Sequence, residues 1–68
     1  MQLGDSIRLR REAKGLTQAE LGRQCGLSDA AICYYERGTR KPGMKALLAL
    51  ARAFGCTVEE LVGDAATA

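Results

Sequence analysis

The apolar residues of this chain recur at helical spacing. Leu3 and Ile7 share a face at i, i+4. Met44, Leu47, Leu48, Ala51 and Phe54 repeat the i, i+3, i+4, i+7 pattern of a buried helical face. No β-branched run alternates with polar residues, so strands are not expected. Gly15, Gly26, Gly38 and Gly55 each follow a periodic segment, where a left-handed C-terminal cap belongs. Helix starts are marked as well. Thr17 with Glu20 and Thr57 with Glu60 form Thr-x-x-Glu capping boxes. Ser28 is a good N-cap, and Asp29 behind it suits the positive end of a helix dipole. These signals predict helices over residues 3–14, 18–24 and 29–36. A fourth follows Pro42 and Gly43, and a short fifth opened by Thr57 carries Val58, Leu61 and Val62. One position fits poorly. The spacing from Leu3 and Ile7 asks for an apolar residue at position 10, where Arg10 stands beside Leu9. Either Arg10 lays its stem along the core, or the helix is turned and Leu9 is exposed.

The fold class expected is all-α, a compact bundle of five short helices forming one domain over residues 1–62. The tail, residues 63–68, has nothing to bury and is expected to fray. Within the bundle, only Cys25, Gly26 and Leu27 separate the second and third helices. A short, glycine-containing turn between two short helices is the helix-turn-helix signature. Gly22 leaves room where the two helices cross. Gly26 permits a positive φ, and Leu21, Leu27, Ile32 and Tyr35 can point back to the first and fourth helices.

Composition narrows the function classes. A chain of 68 residues buries only about 60% of the surface its unfolded form exposes, which leaves little room for a supported catalytic cleft. There is no histidine, no metal-ligand set and no glycine-rich phosphate loop before a helix. No enzyme, metal or cofactor is therefore expected. The three cysteines have no C-x-x-C spacing and read as small apolar residues, with reduced thiols suited to the cytoplasm. No apolar run approaches the roughly 20 residues of a membrane helix, and the first residues lack the features of a signal peptide. The net charge of +2 is unevenly spread. All ten basic residues and five of the eight acids lie in residues 1–54, which carry +5; Glu59, Glu60 and Asp64 give the remainder −3. A basic body favours a polyanionic partner, although solvated helix faces account for such charges equally well.

Taken together, Gly15-Leu16-Thr17-Gln18, Gly26-Leu27-Ser28, Ile32, Glu36-x-Gly38, Arg40-x-Pro42 and the closing Leu-Ala-x-Ala-Phe-Gly resemble the lambda-repressor-like, Cro/Xre-type helix-turn-helix domains. The resemblance spans residues 3–62. It implies sequence-specific binding of double-stranded DNA for transcriptional control, with the third helix in the major groove. It assigns backbone contacts to Thr17, Gln18 and Ser28 at helix starts, and to Arg37, Thr39, Arg40 and Lys41 in the loop after the third helix. Base edges would meet Asp29, Ala30, Ala31, Cys33 and Tyr34. Glu36 is implied to pair inside the fold with a base from the first helix or the loop. The reading face departs from the usual pattern: residues 28–35 hold no Arg, Gln or Asn, the side chains that read purines by bidentate bonds. Asp29 is either a base contact or a helix-start stabiliser, and Tyr34 either faces DNA or is a surface aromatic. Such thin readout favours a homodimer on a two-fold operator. Val58, Leu61 and Val62, with Phe54 nearby, are the candidate self-association surface. The resemblance further implies a prokaryotic or phage-encoded cytoplasmic regulator. The rival is a protein-interaction module, such as an antitoxin, that uses the same scaffold to hold a toxin.

Overall fold

Local capping chemistry sets nearly every boundary in the structure, a computed structural model that describes residues 2–66. Among these residues the chain forms α1 (Leu3–Ala13), α2 (Gln18–Cys25), α3 (Asp29–Arg37), α4 (Met44–Phe54) and α5 (Val58–Ala66), with no strand. At α2, the N–H of Glu20 donates to Thr17 Oγ1 at 3.1 Å and the N–H of Thr17 donates to Glu20 Oε1 at 2.8 Å. Thr57 and Glu60 repeat the exchange at 3.0 and 2.9 Å. Ser28 Oγ accepts the N–H of Ala31 at 3.0 Å. At the other ends, Gly26 and Gly38 adopt φ of 69° and 77°, values that a side chain would strain.

α5 departs from expectation. It continues through Gly63 to Ala66, into the segment set apart as a tail. A capped start has already met the nucleation cost, and each added residue then gains a hydrogen bond, with one interior glycine costing only about 1 kcal/mol. Thr67 and Ala68, the last of the expected tail, lie outside the described residues.

The core is built from one or two side chains per helix. Ile7, Leu21, Ile32, Leu50 and Leu61 are fully buried, and Phe54 is nearly so. Leu27 and Tyr35 pack against this cluster, as their spacing predicts. α4 buries Ala51 and Phe54 and packs Leu47 against the core, as its periodicity suggests, but its face is turned from that stripe at Met44 and Leu48. Met44 and Leu48 are 63% and 45% exposed, while Ala46, Leu50, Ala51 and Phe54 are buried. The helix carries more apolar residues than one face can hold, and packing against α2 and α5 selects the stripe through Leu50. On α1 it is Leu9 that is exposed.

Leu61 and Phe54 must be removed from the candidate self-association surface. Leu61 lies wholly inside the core, and its carbonyl accepts the hydroxyl of buried Ser6 on α1 at 3.3 Å. Of the three α5 candidates, Val58 is half-buried and Val62 is exposed. Close approaches at two glycines complete the packing. A Cβ on Gly4 would collide with the carbonyls of Tyr35 and Glu36, and one on Gly22 would lie 2.5 Å from the carbonyl oxygen of Leu27. Nothing in the sequence around Gly4 marks it; only the neighbouring backbone shows why it must be small.

Leu61→Ala is expected to lower the free energy of unfolding by about 2–5 kcal/mol, the usual cost of truncating a closed-in leucine. Urea denaturation followed by circular dichroism measures it. A loss well under 1 kcal/mol would mean that α5 is not part of the cooperative core.

Candidate nucleic-acid interface

α1, α2 and α3 meet at one charged cluster, and the interface is built outward from it. Arg11 sits at i+4 from Ile7 and points inward. Its Nε donates to Glu36 Oε2 at 2.6 Å, its Nη2 to Glu36 Oε1 at 3.1 Å, and its Nη1 to the carbonyl of Leu16 at 2.7 Å. The two side chains are only 13% and 4% exposed. The bond to Glu36 pushes the Arg11 pKa up against the opposing effect of burial. Glu36 thus pairs inside the fold, as the resemblance implies, and its partner comes from the first helix. The sequence reading misses Arg11 because it follows the inward stripe only as far as position 10. The i+4 spacing from Ile7 was the available signal.

Gln18 joins the same cluster, its Nε2 donating to Glu36 Oε1 at 3.1 Å. An amide nitrogen has two hydrogens, so one remains for an outside acceptor. Around it, the first-turn N–H groups of Gln18 and Ala19 have no partner within the helix, and both residues reach the surface. Thr17 and Ser28 accept backbone N–H groups through their hydroxyl oxygens, which leaves each hydroxyl proton able to donate. The N–H of Thr17 holds the Glu20 carboxyl below its ordinary pKa, so this residue stays anionic while it closes the box.

The outward face of α3 is as small as the sequence indicates. Asp29, Ala30 and Tyr34 are exposed, and Ala31 and Cys33 are half-buried. Asp29 Oδ1 accepts the N–H of Ala30 at 2.9 Å, so at least one of its oxygens is engaged at the helix start. Cys25, by contrast, faces inward. Its thiol donates to the carbonyl of Ala49 at 3.6 Å, and burial pushes its pKa up, as suits a packing residue.

The loop after α3 is tied to Tyr34. The N–H groups of Thr39 and Arg40 donate to the Tyr34 carbonyl at 3.0 and 3.4 Å, and Thr39 Oγ1 donates to it at 3.2 Å. The Arg40 guanidinium lies over the Tyr34 ring, 4.9 Å from its centroid. Arg37, expected in this loop, is instead the last residue of α3; it, Thr39, Arg40 and Lys41 are all exposed, while Pro42 is buried and pins the far end. The loop runs directly into α4, whose N-cap Gly43 makes no side-chain cap bond and whose first turn holds Lys45 and no acid. That uncapped start is also missed from sequence, because a glycine before a helix reads only as a boundary. The loop cations and the α2 start are thus free to meet anions. Val58 and Val62 lie apart from them on α5, which packs on α1 and α4.

A helix-turn-helix family model matches residues 7–61. Repressor protein C2 of Salmonella phage P22 is 40% identical over 63 residues, 91% of this chain and 29% of that repressor. An uncharacterized HTH-type transcriptional regulator of Sinorhizobium fredii, y4dJ, is 47% identical over 55 residues, 81% of this chain and 70% of that protein. The crystal structure of the P22 c2 repressor in complex with a synthetic operator superposes with a TM-score of 0.86 at 38% identity, covering 90% of this chain and 92% of that one. The chain spans less than a third of the full P22 repressor.

Arg11→Met is expected to destabilise the domain by about 3–5 kcal/mol, because it strands the Glu36 carboxylate in a nearly closed site. Adding Glu36→Leu should recover much of that loss, since two apolar residues replace both charges. Urea titrations of the single and double variants decide it. A single-variant cost below about 1 kcal/mol is the behaviour of a solvent-exposed pair.

Proposed function

The chain belongs to the helix-turn-helix family, and on that basis we propose that it is a sequence-specific DNA-binding regulator of transcription, of repressor or controller type, that lays α3 in the major groove. The observation that carries the reading is the likeness, over 90% of the chain, to a repressor bound to its operator. On that likeness the exposed α3 face and the basic loop become the DNA side. Phosphates are met by Thr17, Gln18 and the free N–H groups of the α2 start, by Ser28, and by Arg37, Thr39, Arg40 and Lys41. Asp29, Ala30, Ala31 and Cys33 lie against base edges, where methyl groups can touch thymine and a carboxylate can accept from cytosine. With so little bidentate readout, DNA shape and stiffness carry part of the specificity.

A homodimer follows from the same arithmetic. Each good base contact is worth about 1–3 kcal/mol, and one α3 offers few. Two copies on half-sites one helical turn apart double the sum. Val58 and Val62 are the α5 side chains that remain for such an interface. The working compartment is the cytoplasm of a prokaryotic cell. The toxin-holding alternative has one observation in its favour, the exposed apolar pair Met44 and Leu48 at i, i+4 on α4.

Selection from a randomised duplex pool, followed by titration of full-length and half-site duplexes, tests the proposal. The expected result is a two-fold sequence bound more tightly than its half. Replacing Arg40 and Lys41 together by Ala should weaken all duplexes alike. The slope of log K against log salt should also become shallower, by about 0.9 for each phosphate no longer neutralised. Failure to enrich any sequence, with no salt-dependent affinity, would turn the assignment towards a protein partner.

A further inference from the structure

We infer that Tyr34 is a positioning residue that holds Arg40 ready for a phosphate, and does not itself read bases. The inference rests on the DNA-binding reading above and goes beyond it by giving Tyr34 a different role from its neighbours on α3.

The geometry concentrates on one residue. The Tyr34 carbonyl, near the end of α3, gathers the Thr39 N–H, the Thr39 hydroxyl and, more distantly, the Arg40 N–H. These bonds fix the backbone of the loop as it leaves the left-handed Gly38. The Tyr34 ring then fixes the side chain that the loop delivers, with the guanidinium carbon of Arg40 over it, 4.9 Å from the ring centroid. Main chain and side chain of one residue therefore set both the path of the loop and the direction of its central cation. Neither contact alone would do this. The backbone bonds leave a long arginine free to rotate, and a ring without the loop bonds would have nothing delivered to it.

The form of the contact matters for function. A cation–π contact is made to the charge of the guanidinium and uses no N–H···O bond, so the donors directed away from the ring stay available. Those donors are what a phosphate needs, two of them for a bidentate grip. No ion pair within the described residues consumes them. The stack thus orders the arginine without spending its hydrogen-bonding capacity, and ordering before contact reduces the entropy lost on binding. The cation occupies one face of the ring and leaves only the opposite face and the edge for a thymine methyl. The consequence is that Tyr34 contributes to affinity for every duplex and to preference for none.

The test is a double-mutant cycle on DNA binding, read by fluorescence anisotropy over a range of NaCl concentrations. The probes are a mixed-sequence duplex and the duplex selected above. Tyr34→Ala should weaken both equally, by about 3–10-fold, combining removal of the stack with loss of the ordering. The salt slope should become shallower by up to about 0.9, one phosphate's worth. Tyr34→Phe, which keeps the ring, should restore both affinity and slope. In an Arg40→Ala background, Tyr34→Ala should cost less than about twofold. In the free protein, the Arg40 side-chain protons should show an upfield ring-current shift by NMR, kept in Tyr34→Phe and absent in Tyr34→Ala.

Equal losses from Tyr34→Ala with and without Arg40 would overturn the inference. So would a changed base preference at one operator position with an unchanged salt slope, which would make Tyr34 a base reader. A wild-type chain with the ring-current shift but no salt-dependent affinity for any duplex would overturn the DNA-binding reading, and the inference with it. Alanine is a strong helix former at this exposed position, so the fold should survive each variant, and circular dichroism provides the control.

Discussion

The pairing of Arg11 with Glu36 is the constraint from which the arrangement of the interface follows. Three helices contribute to it: α1 gives the guanidinium, α3 the carboxylate, and the start of α2 the Gln18 amide. A charge this well enclosed is tolerated only when its partner and hydrogen bonds are all in place. The cluster therefore admits little variation in how α2 is set against α3. That relation decides whether the α2 start and the α3 face can be presented to one ligand together. Glu36 matters to that presentation without facing outward itself, because it fixes the Gln18 amide.

Much of this was legible in the sequence, and for definite reasons. Helix starts are announced by residues whose side chains must accept N–H groups, and Thr17, Ser28 and Thr57 each did so. Helix ends are announced by glycine. The turn at Gly26 and the inward set Leu21, Ile32 and Tyr35 followed from spacing alone. What failed to read was whatever depended on a partner distant in sequence. Arg11 looks misplaced on an apolar face until Glu36, 25 positions away, is known to meet it. On α4, the apolar residues offer two overlapping stripes, and only the neighbouring helices choose between them. On α5, Leu61 and Val62 are adjacent and alike, yet one is sealed in the core and the other exposed. The candidate site divides in the same way. Which residues occupy the loop was plain, but the use of the Tyr34 carbonyl and ring as its anchor is a matter of three dimensions.

The surface that results separates two tasks. The small residues at the front of α3 give shape without strong hydrogen bonding. The charged and donor groups sit around them, on the α2 start, in the loop and at the uncapped start of α4. Contacts of the second kind align a domain on a duplex whatever its sequence, while contacts of the first kind discriminate only weakly. This division is consistent with the proposed pairing of two copies, because weak preferences gain force when two copies must be satisfied at once.

The burial of Leu61 also bears on how the domain comes into being. Ser6, near the start of the chain, bonds to the Leu61 carbonyl across a separation of 55 residues. Both Ile7 and Leu50 share their cluster with the Leu61 side chain. A chain emerging from the ribosome can therefore form its capped helices early, but it cannot seal the cluster until α5 is out. Non-local closure of this kind slows folding relative to a bundle held by neighbouring helices alone. During that interval the part of the core that α5 covers lies open, and α1, α2 and α3 are held by the Arg11–Glu36 clasp and their own close packing.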